Sequence, residues 1–250
     1  MDLSGRNALV TGVSRRAGIG FAIVRRLQEH GARVFVQGWT AHDAQQGWGA
    51  EPDGLAGVAG ELGTGHVEAD FSEPGAPTHA VAAARAALGP LDVLVVNHAR
   101  SGLGRLGELT SEHVDAFLHE NVRAPLLLVK EFAAQFEGES GRVVLFTSGA
   151  HLDAMGREVA YAVSKGALAI ATRTLADELA GRGITVNCVN PGPTDTGWGL
   201  ADLDPAPRMP FGRWGEPDDA ARLVAWLCGD DARWITGQVI DSEGGFRRAT

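Results

Sequence analysis

The stretch Thr11-Gly-Val-Ser-Arg-Arg-Ala-Gly-Ile-Gly20, TGVSRRAGIG, follows the apolar run Ala8-Leu9-Val10 and precedes the helical pattern FAIVRRLQEHG. A strand, a glycine-rich turn and a helix in that order form a phosphate cradle. Backbone N–H groups at the helix start point outward, the helix dipole favours an anion, and glycine lets a phosphate approach the backbone. A P-loop is excluded, because G-x4-G-K-[ST] counted from Gly12 needs glycine then lysine where the chain has Ala17-Gly18. Dinucleotide binding remains, as does the simpler reading that the glycines only let the strand turn tightly into its helix.

Outward from this loop, short β-branched runs alternate with longer helical patterns, which predicts repeated βαβ units. Strands are expected near Ala8-Val10, Arg33-Val36, His66-Ala69, Val93-Val96, Val143-Phe146, Thr185-Val189 and Gln238-Ile240. Helices are expected around Ile19-His30, Pro74-Leu88, Ser111-Phe136, Ala160-Gly181 and Pro217-Cys228, each with apolar residues three and four apart. The fold class is therefore α/β, a Rossmann-type doubly wound sandwich of about seven mostly parallel strands with helices on both faces. With no linker and no internal repeat, residues 1–250 are expected to form a single domain. Two segments break the rhythm. Trp39 to Gly63 is expected to hold only a short helix. Gly192 to Gly215, rich in Pro, Gly and large apolar residues, reads as a substrate-binding lid at a strand's carboxyl end.

Composition narrows the partners. A formal charge of -9 argues against a nucleic-acid backbone or an anionic membrane and for a small molecule. No 18-residue apolar run is present, and the N-terminus MDLSGRNALV lacks a signal-peptide pattern, so cytoplasmic residence is expected. Cys188 and Cys228 lack metal or redox spacing and read as small core side chains; no metal site is expected.

The second strand ends Val36-Gln37-Gly38-Trp39 with no carboxylate, the residue that would select a free adenosine 2′-hydroxyl. A 2′-phosphate needs a cation instead, and Arg15 or Arg16 offers a planar bidentate donor set, so NADP(H) is favoured over NAD(H). Both arginines pointing to water is the open alternative.

The chain's one tyrosine stands in Tyr161-Ala-Val-Ser-Lys165, and among 22 basic residues only Lys130 and Lys165 are lysine. In a helix the phenol and ammonium project from one face a turn apart, and a nearby cation moves a phenol towards a working acid–base range. Ser148, ending the run Val143 to Thr147, is placed to hydrogen-bond a substrate oxygen that gains charge; a turn or cap role stays open.

Taken together, Thr11-Gly12…Gly18-Ile19-Gly20, Asn97-His98-Ala99, Asn121, Ser148, Tyr161-x-x-x-Lys165 and Pro191-Gly192 resemble the short-chain dehydrogenase/reductase family over the whole chain. The resemblance is nearest to 3-oxoacyl-carrier-protein reductase-like members. It implies a catalytic set in which Tyr161 is the general acid for carbonyl reduction and Ser148 holds the substrate oxygen. Lys165 would lower the Tyr161 pKa and hold the nicotinamide ribose, and Asn121 would kink its helix and hold a relay water. It also implies cofactor contacts at Gly12, Ser14, Gly18, Ile19 and Gly20, at Asp70 and Phe71 near the adenine, and at Asn97 and Ala99 along the ribose. Pro191, Gly192, Thr194 and Thr196 would surround the nicotinamide. For Asp70 a cap or turn for the Ser72-Glu-Pro segment stands equally open.

This sequence departs from the family pattern in a glycine loop two residues longer than TGxxxGxG, in Arg100 where NNAG ends in glycine, and in Thr194 where an aliphatic residue is usual. Arg100, Gly149, His151, Met155 and Trp198 are candidates for the substrate pocket, while His98 and His151 also read as ordinary hydrogen-bonded loop histidines. A carbonyl or secondary-alcohol substrate is implied. The rival reading is a dinucleotide-sensing or scaffold protein of the same fold without turnover. Surplus apolar residues on the two long helices, Leu126 to Val129 on one and Leu168, Ile170 and Leu175 on the other, predict self-association; the resemblance implies a homotetramer.

Overall fold

The computed structural model describes residues 1–197, 200 and 203–248. Seven strands form one sheet: β1 (Asn7–Thr11), β2 (Arg33–Gly38), β3 (Gly65–Glu68), β4 (Val93–Val96), β5 (Gly141–Phe146), β6 (Ile184–Asn190) and β7 (Val239–Asp241), in spatial order β3-β2-β1-β4-β5-β6-β7. Every pairing is parallel. Side chains alternate across the pleat and both faces are apolar. Ala8, Val10, Val34, Val36, Val93, Val95 and Val144 pack on one side; Leu9, Phe35, Leu94, Val96, Val143 and Leu145 pack on the other.

The first face is covered by α1 (Ile19–Glu29), α3 (Gly54–Leu62) and α8 (Pro217–Cys228). The second is covered by α4 (Ala76–Leu88), α6 (Ala124–Gln135) and α7 (Val159–Ala180). This is the doubly wound sandwich the alternation predicts. Strand order reverses beside β1, whose neighbours are β2 and β4, so the carboxyl ends of these strands splay their loops apart and leave a crevice. Cys188 and Cys228 are buried thiols, as their apolar settings predict.

Two segments differ from expectation. Between Trp39 and Gly63 there are two helices, the one-turn α2 (Thr40–Asp43) and α3. The three glycines of α3 depress its helix propensity, and burial of Leu55, Val58, Ala59 and Leu62 against the sheet overrides it. The helix expected over 111–136 is broken: α5 (Ser111–Leu118) passes through a π-helical segment, His119–Arg123, into α6. The π segment seats Asn121 with no exposed surface, its amide donating to the Arg100 carbonyl and the Ser164 hydroxyl, both at 2.9 Å, and its oxygen accepting from the Arg100 N–H at 2.7 Å. Among the described residues no helix is long and apolar enough to cross a membrane.

Candidate active site

The crevice opens into a cleft of about 760 Å³ running from the glycine loop, past β4, to the ends of β5 and β6. Its floor is built from strand ends. Buried Gln37, on β2, accepts from the Gly12 N–H at 3.2 Å and donates to the Ala69 carbonyl at 2.8 Å, so the glycine loop, β2 and the turn after β3 are tied by one side chain. Gly12 is left-handed at φ 72°, and a Cβ there would stand 2.7 Å from the His98 Cα. Asn97 donates to the Gly12 carbonyl at 2.9 Å, and Gly20 is pressed against the same carbonyl. The glycines are therefore required by close backbone approach, and the loop is a formed cradle at the start of α1.

Most residues singled out from the sequence line this cleft. Gly12, Ser14, Arg15, Gly18 and Ile19 form one end; Asp70, Phe71, Asn97 and Ala99 the middle; Ser148, Gly149, Met155, Tyr161, Pro191, Gly192 and Thr194 the other end, while Thr196, expected beside the nicotinamide, is drawn to the glycine-loop end by the Arg15 guanidinium, which donates to its carbonyl at 2.8 Å. Asp70 also accepts from the Ser72 N–H at 2.8 Å, so the turn it caps and its place in the cleft coexist. Gly20, Asn121 and Lys165 lie behind the lining. Trp198 lies outside the described residues.

Three expected lining residues face elsewhere. Arg16 is held by Glu51, Asp53 and Glu61 at 2.9, 2.7 and 2.6 Å, a carboxylate clamp that turns its guanidinium from the cleft. Arg100 is drawn to Glu120 at 2.7 Å, and His151 reaches Asp241 at 3.1 Å. In each case a carboxylate distant in sequence supplies the pull. The cleft is also lined by Arg208, within the expected lid segment, and by residues with no expectation from sequence: Asp43 and Trp48 beyond β2, and Glu243, Phe246 and Arg248 of the C-terminal segment, which folds back beside Ser148. Only the run of polar and aromatic residues after β7 hinted at the last three.

At the β5–α7 end, Ser148 and Tyr161 face the cleft with Lys165 one helical turn behind Tyr161, and the Thr147 hydroxyl donates to the Lys165 carbonyl at 2.8 Å. Electrostatics here corrects one expectation. Burial, reinforced by the Glu158 carboxylate, pushes the Tyr161 phenol up to about 12, against a Ser148 hydrogen bond acting the other way. Burial also brings Lys165 down to about 8. Desolvation of the buried phenol is the largest cause and sets the direction, against the downward move expected from a neighbouring cation. His98, packed on the Phe71 ring, is brought down to about 3, again mainly by burial. Neutral at ordinary pH, it links Thr11 (Nδ1 to Oγ1, 2.8 Å) to the Glu120 carbonyl (3.1 Å) at the π segment, the structural tie of a hydrogen-bonded loop histidine. A protonated phenol, a hydroxyl and a buried amine around one pocket are suited to giving a proton to an oxygen that gains charge. Among the described residues no cluster of metal ligands occurs.

Comparison with known proteins agrees with this geometry. Residues 12–247 match the family model described as enoyl-(acyl carrier protein) reductase. An uncharacterized oxidoreductase of Bacillus subtilis, YjdA, is 39% identical over 246 residues, covering 96% of each chain. The crystal structure of a blue fluorescent protein from a metagenomic library in complex with NADPH superposes with a TM-score of 0.86 at 35% identity, over 98% of this chain and 99% of that one. The landomycin C-6 ketoreductase LanV with bound NADP and rabelomycin gives a TM-score of 0.83 at 35% identity, over 98% and 97%. With the parallel sheet, the glycine cradle and the Ser148–Tyr161–Lys165 grouping already in view, these matches over nearly the whole length make the chain a member of the short-chain dehydrogenase/reductase family of oxidoreductases.

Proposed function

We propose that this oxidoreductase transfers a hydride between NADP(H) and a ketone or secondary alcohol, with reduction as the favoured direction. The observation that carries the reading is the convergence of Ser148 and Tyr161 on the end of a glycine-cradled cleft, with Lys165 buried behind them. The residues fit a dinucleotide: Gly12, Gly18 and Ile19 would hold the pyrophosphate, Asp70 and Phe71 the adenine, Asn97 and Ala99 the ribose. Pro191, Gly192 and Thr194 would flank the nicotinamide. When bound, the dinucleotide supplies the hydride.

The protein's part is proton management. Ser148 would hold the carbonyl oxygen, and Tyr161, whose phenol is pushed up to about 12, stays protonated at neutral pH and would donate to the alkoxide as it develops. Lys165 would position the ribose. Asn121, with three hydrogen bonds across the π segment, would fix the helix that carries the relay. Complexes of family members with NADPH or NADP support the cofactor class, and a ketoreductase among them supports the substrate class. Preference for NADP(H) over NAD(H) would come from Arg15, which lines the cleft.

We read 1–250 as one domain in which 192–215 is the lid. In support, the base of that segment is closed by Asp195 donating to Gly215 at 2.8 Å and Gly215 to Pro193 at 3.0 Å, and Leu200 and Arg208 within it face the cleft. Buried, unpaired cysteines suit a cytoplasmic setting. Of the surplus apolar residues expected on the two long helices, Leu128, Val129 and Leu168 are buried, and those left exposed on α6 and α7, Leu126 and Ile170 together with Val163, suit a homotetramer.

The test is NADPH consumption against a panel of ketones, beside Tyr161→Phe. The variant should keep NADPH affinity and lose about 10²–10⁴-fold in turnover. An unchanged rate removes Tyr161 from the mechanism; tight NADPH binding by the wild type with no hydride transfer to any carbonyl favours the non-catalytic, sensing reading.

A further inference from the structure

The end of β2 carries no acid, yet the cleft beside it holds one. Asp43, on the one-turn helix α2, has a side chain only 8% exposed and lines the cleft beside Ser14, Arg15 and Trp39. Its carboxylate is built in. One oxygen accepts from the Ser14 hydroxyl; the other accepts from the Trp48 indole N–H at 2.9 Å and stands 3.6 Å from the Arg15 Nε. Arg15 is held as firmly. Its guanidinium lies 5.0 Å from the Trp48 ring centroid, and an η nitrogen donates to the Thr196 carbonyl at 2.8 Å. Arg16 is clamped elsewhere, so Arg15 is the one cation of the glycine loop that lines the cleft.

A 2′-phosphate seated on Ser14 and Arg15 would therefore meet a cation already neutralised and a hydroxyl already engaged, with a buried anion behind both. A free 2′-hydroxyl would meet an acceptor. A carboxylate oxygen pair has about four lone-pair sites, and the two hydrogen bonds here, with Arg15 only ion-paired at 3.6 Å, leave room for another donor. At a few ångströms in a partly desolvated cleft, a like charge opposes a phosphate strongly enough to change a binding ratio by an order of magnitude.

We infer that Asp43 is a specificity-determining residue, a counter-charge to Arg15 that narrows the margin of NADPH over NADH. This rests on the dinucleotide reading of the cleft. The acid replaces, from the helix beyond the strand, the carboxylate missing at the strand's end, so Arg15 and Asp43 set the ratio as a pair.

The experiment measures dissociation constants by titration calorimetry for NADPH and NADH, and for the fragments 2′,5′-ADP and 5′-AMP, with circular dichroism reporting the fold of each variant. Asp43→Asn, nearly isosteric, should raise the NADPH:NADH affinity ratio and the 2′,5′-ADP:5′-AMP ratio by about tenfold or more. Asp43→Glu, which keeps the charge, should stay near wild type; a merely structural role would perturb both variants alike. Arg15→Gln gives an arm independent of whether Asp43→Asn folds. With Asp43 unopposed, the ratio should invert to favour NADH by about tenfold, whereas decay to simple equality would show that Asp43 exerts nothing on the phosphate. Ratios unchanged by Asp43→Asn while both dinucleotides bind overturn the inference alone. Failure of the wild type to bind either dinucleotide overturns the cofactor reading and this inference with it.

Discussion

Replacing His98 by glutamine should flatten the acid limb of this protein's stability curve. His98 sits where β4 leaves the sheet, between the Thr11 hydroxyl and the Glu120 carbonyl, and burial brings its pKa down from 6.5 to about 3. Between those values the unfolded chain binds a proton that the folded one refuses. Stability is therefore full above pH 6.5 and is lost as pH falls towards 3. A pKa lowered that far corresponds to roughly 4–5 kcal/mol over the window, and to about half of it once water reaching the half-buried ring from the cleft is counted. Urea unfolding of wild type and His98→Gln at several pH values from neutrality to about pH 4 reads the difference directly. The variant should lose about 1 kcal/mol at pH 7 for its altered hydrogen bonds, and the two curves should then converge as pH falls. Parallel curves across that range would show that His98 is not held neutral by burial.

Two further predictions follow from side chains the structure reassigns or exposes. Arg16→Ala should lower the unfolding temperature by releasing Glu51, Asp53 and Glu61 to repel one another, while moving the NADPH:NADH ratio by less than about twofold, measured by calorimetry beside a thermal melt. On α7, Ile170 is 78% exposed, and Ile170→Asp should convert the proposed tetramer to smaller species by light scattering without changing the far-ultraviolet spectrum; a wild-type monomer at micromolar concentration would refute the assembly.

Which of these features sequence could reveal follows from the range of the forces involved. All seven strands lie within a few residues of their β-branched runs, because both faces of a parallel sheet must be apolar. Ser148, Tyr161 and the glycine loop were legible because each stands at a strand end or on one helix face, where spacing fixes position, whereas Asn97 came from the family resemblance. The π segment was not legible in periodicity, since one extra residue in a turn leaves the apolar pattern of 111–136 nearly intact; only the family resemblance implied a kink at Asn121. Nor were the directions of Arg16, Arg100 and His151, each decided by a carboxylate far away in sequence or on another element. Asp43 carries no sequence signal for a related reason: a lone acid on a one-turn helix has no pattern, and its partners Ser14 and Trp48 come from two separate loops. The high pKa of Tyr161 also required the fold, because burial, its largest cause, is absent from the i, i+4 argument that pairs it with Lys165.

The most direct test of the central claim, hydride transfer from NADPH to a carbonyl with Tyr161 supplying the proton, is isotopic. Wild-type enzyme is incubated with NADPH carrying deuterium at both C4 positions of the dihydronicotinamide and a ketone that it reduces, and the alcohol is weighed by mass spectrometry. One deuterium should appear on the carbinol carbon, with the hydroxyl proton drawn from water, and Tyr161→Phe should form the same labelled product far more slowly. An alcohol without deuterium, or no alcohol from any ketone while NADPH stays bound, would contradict the account.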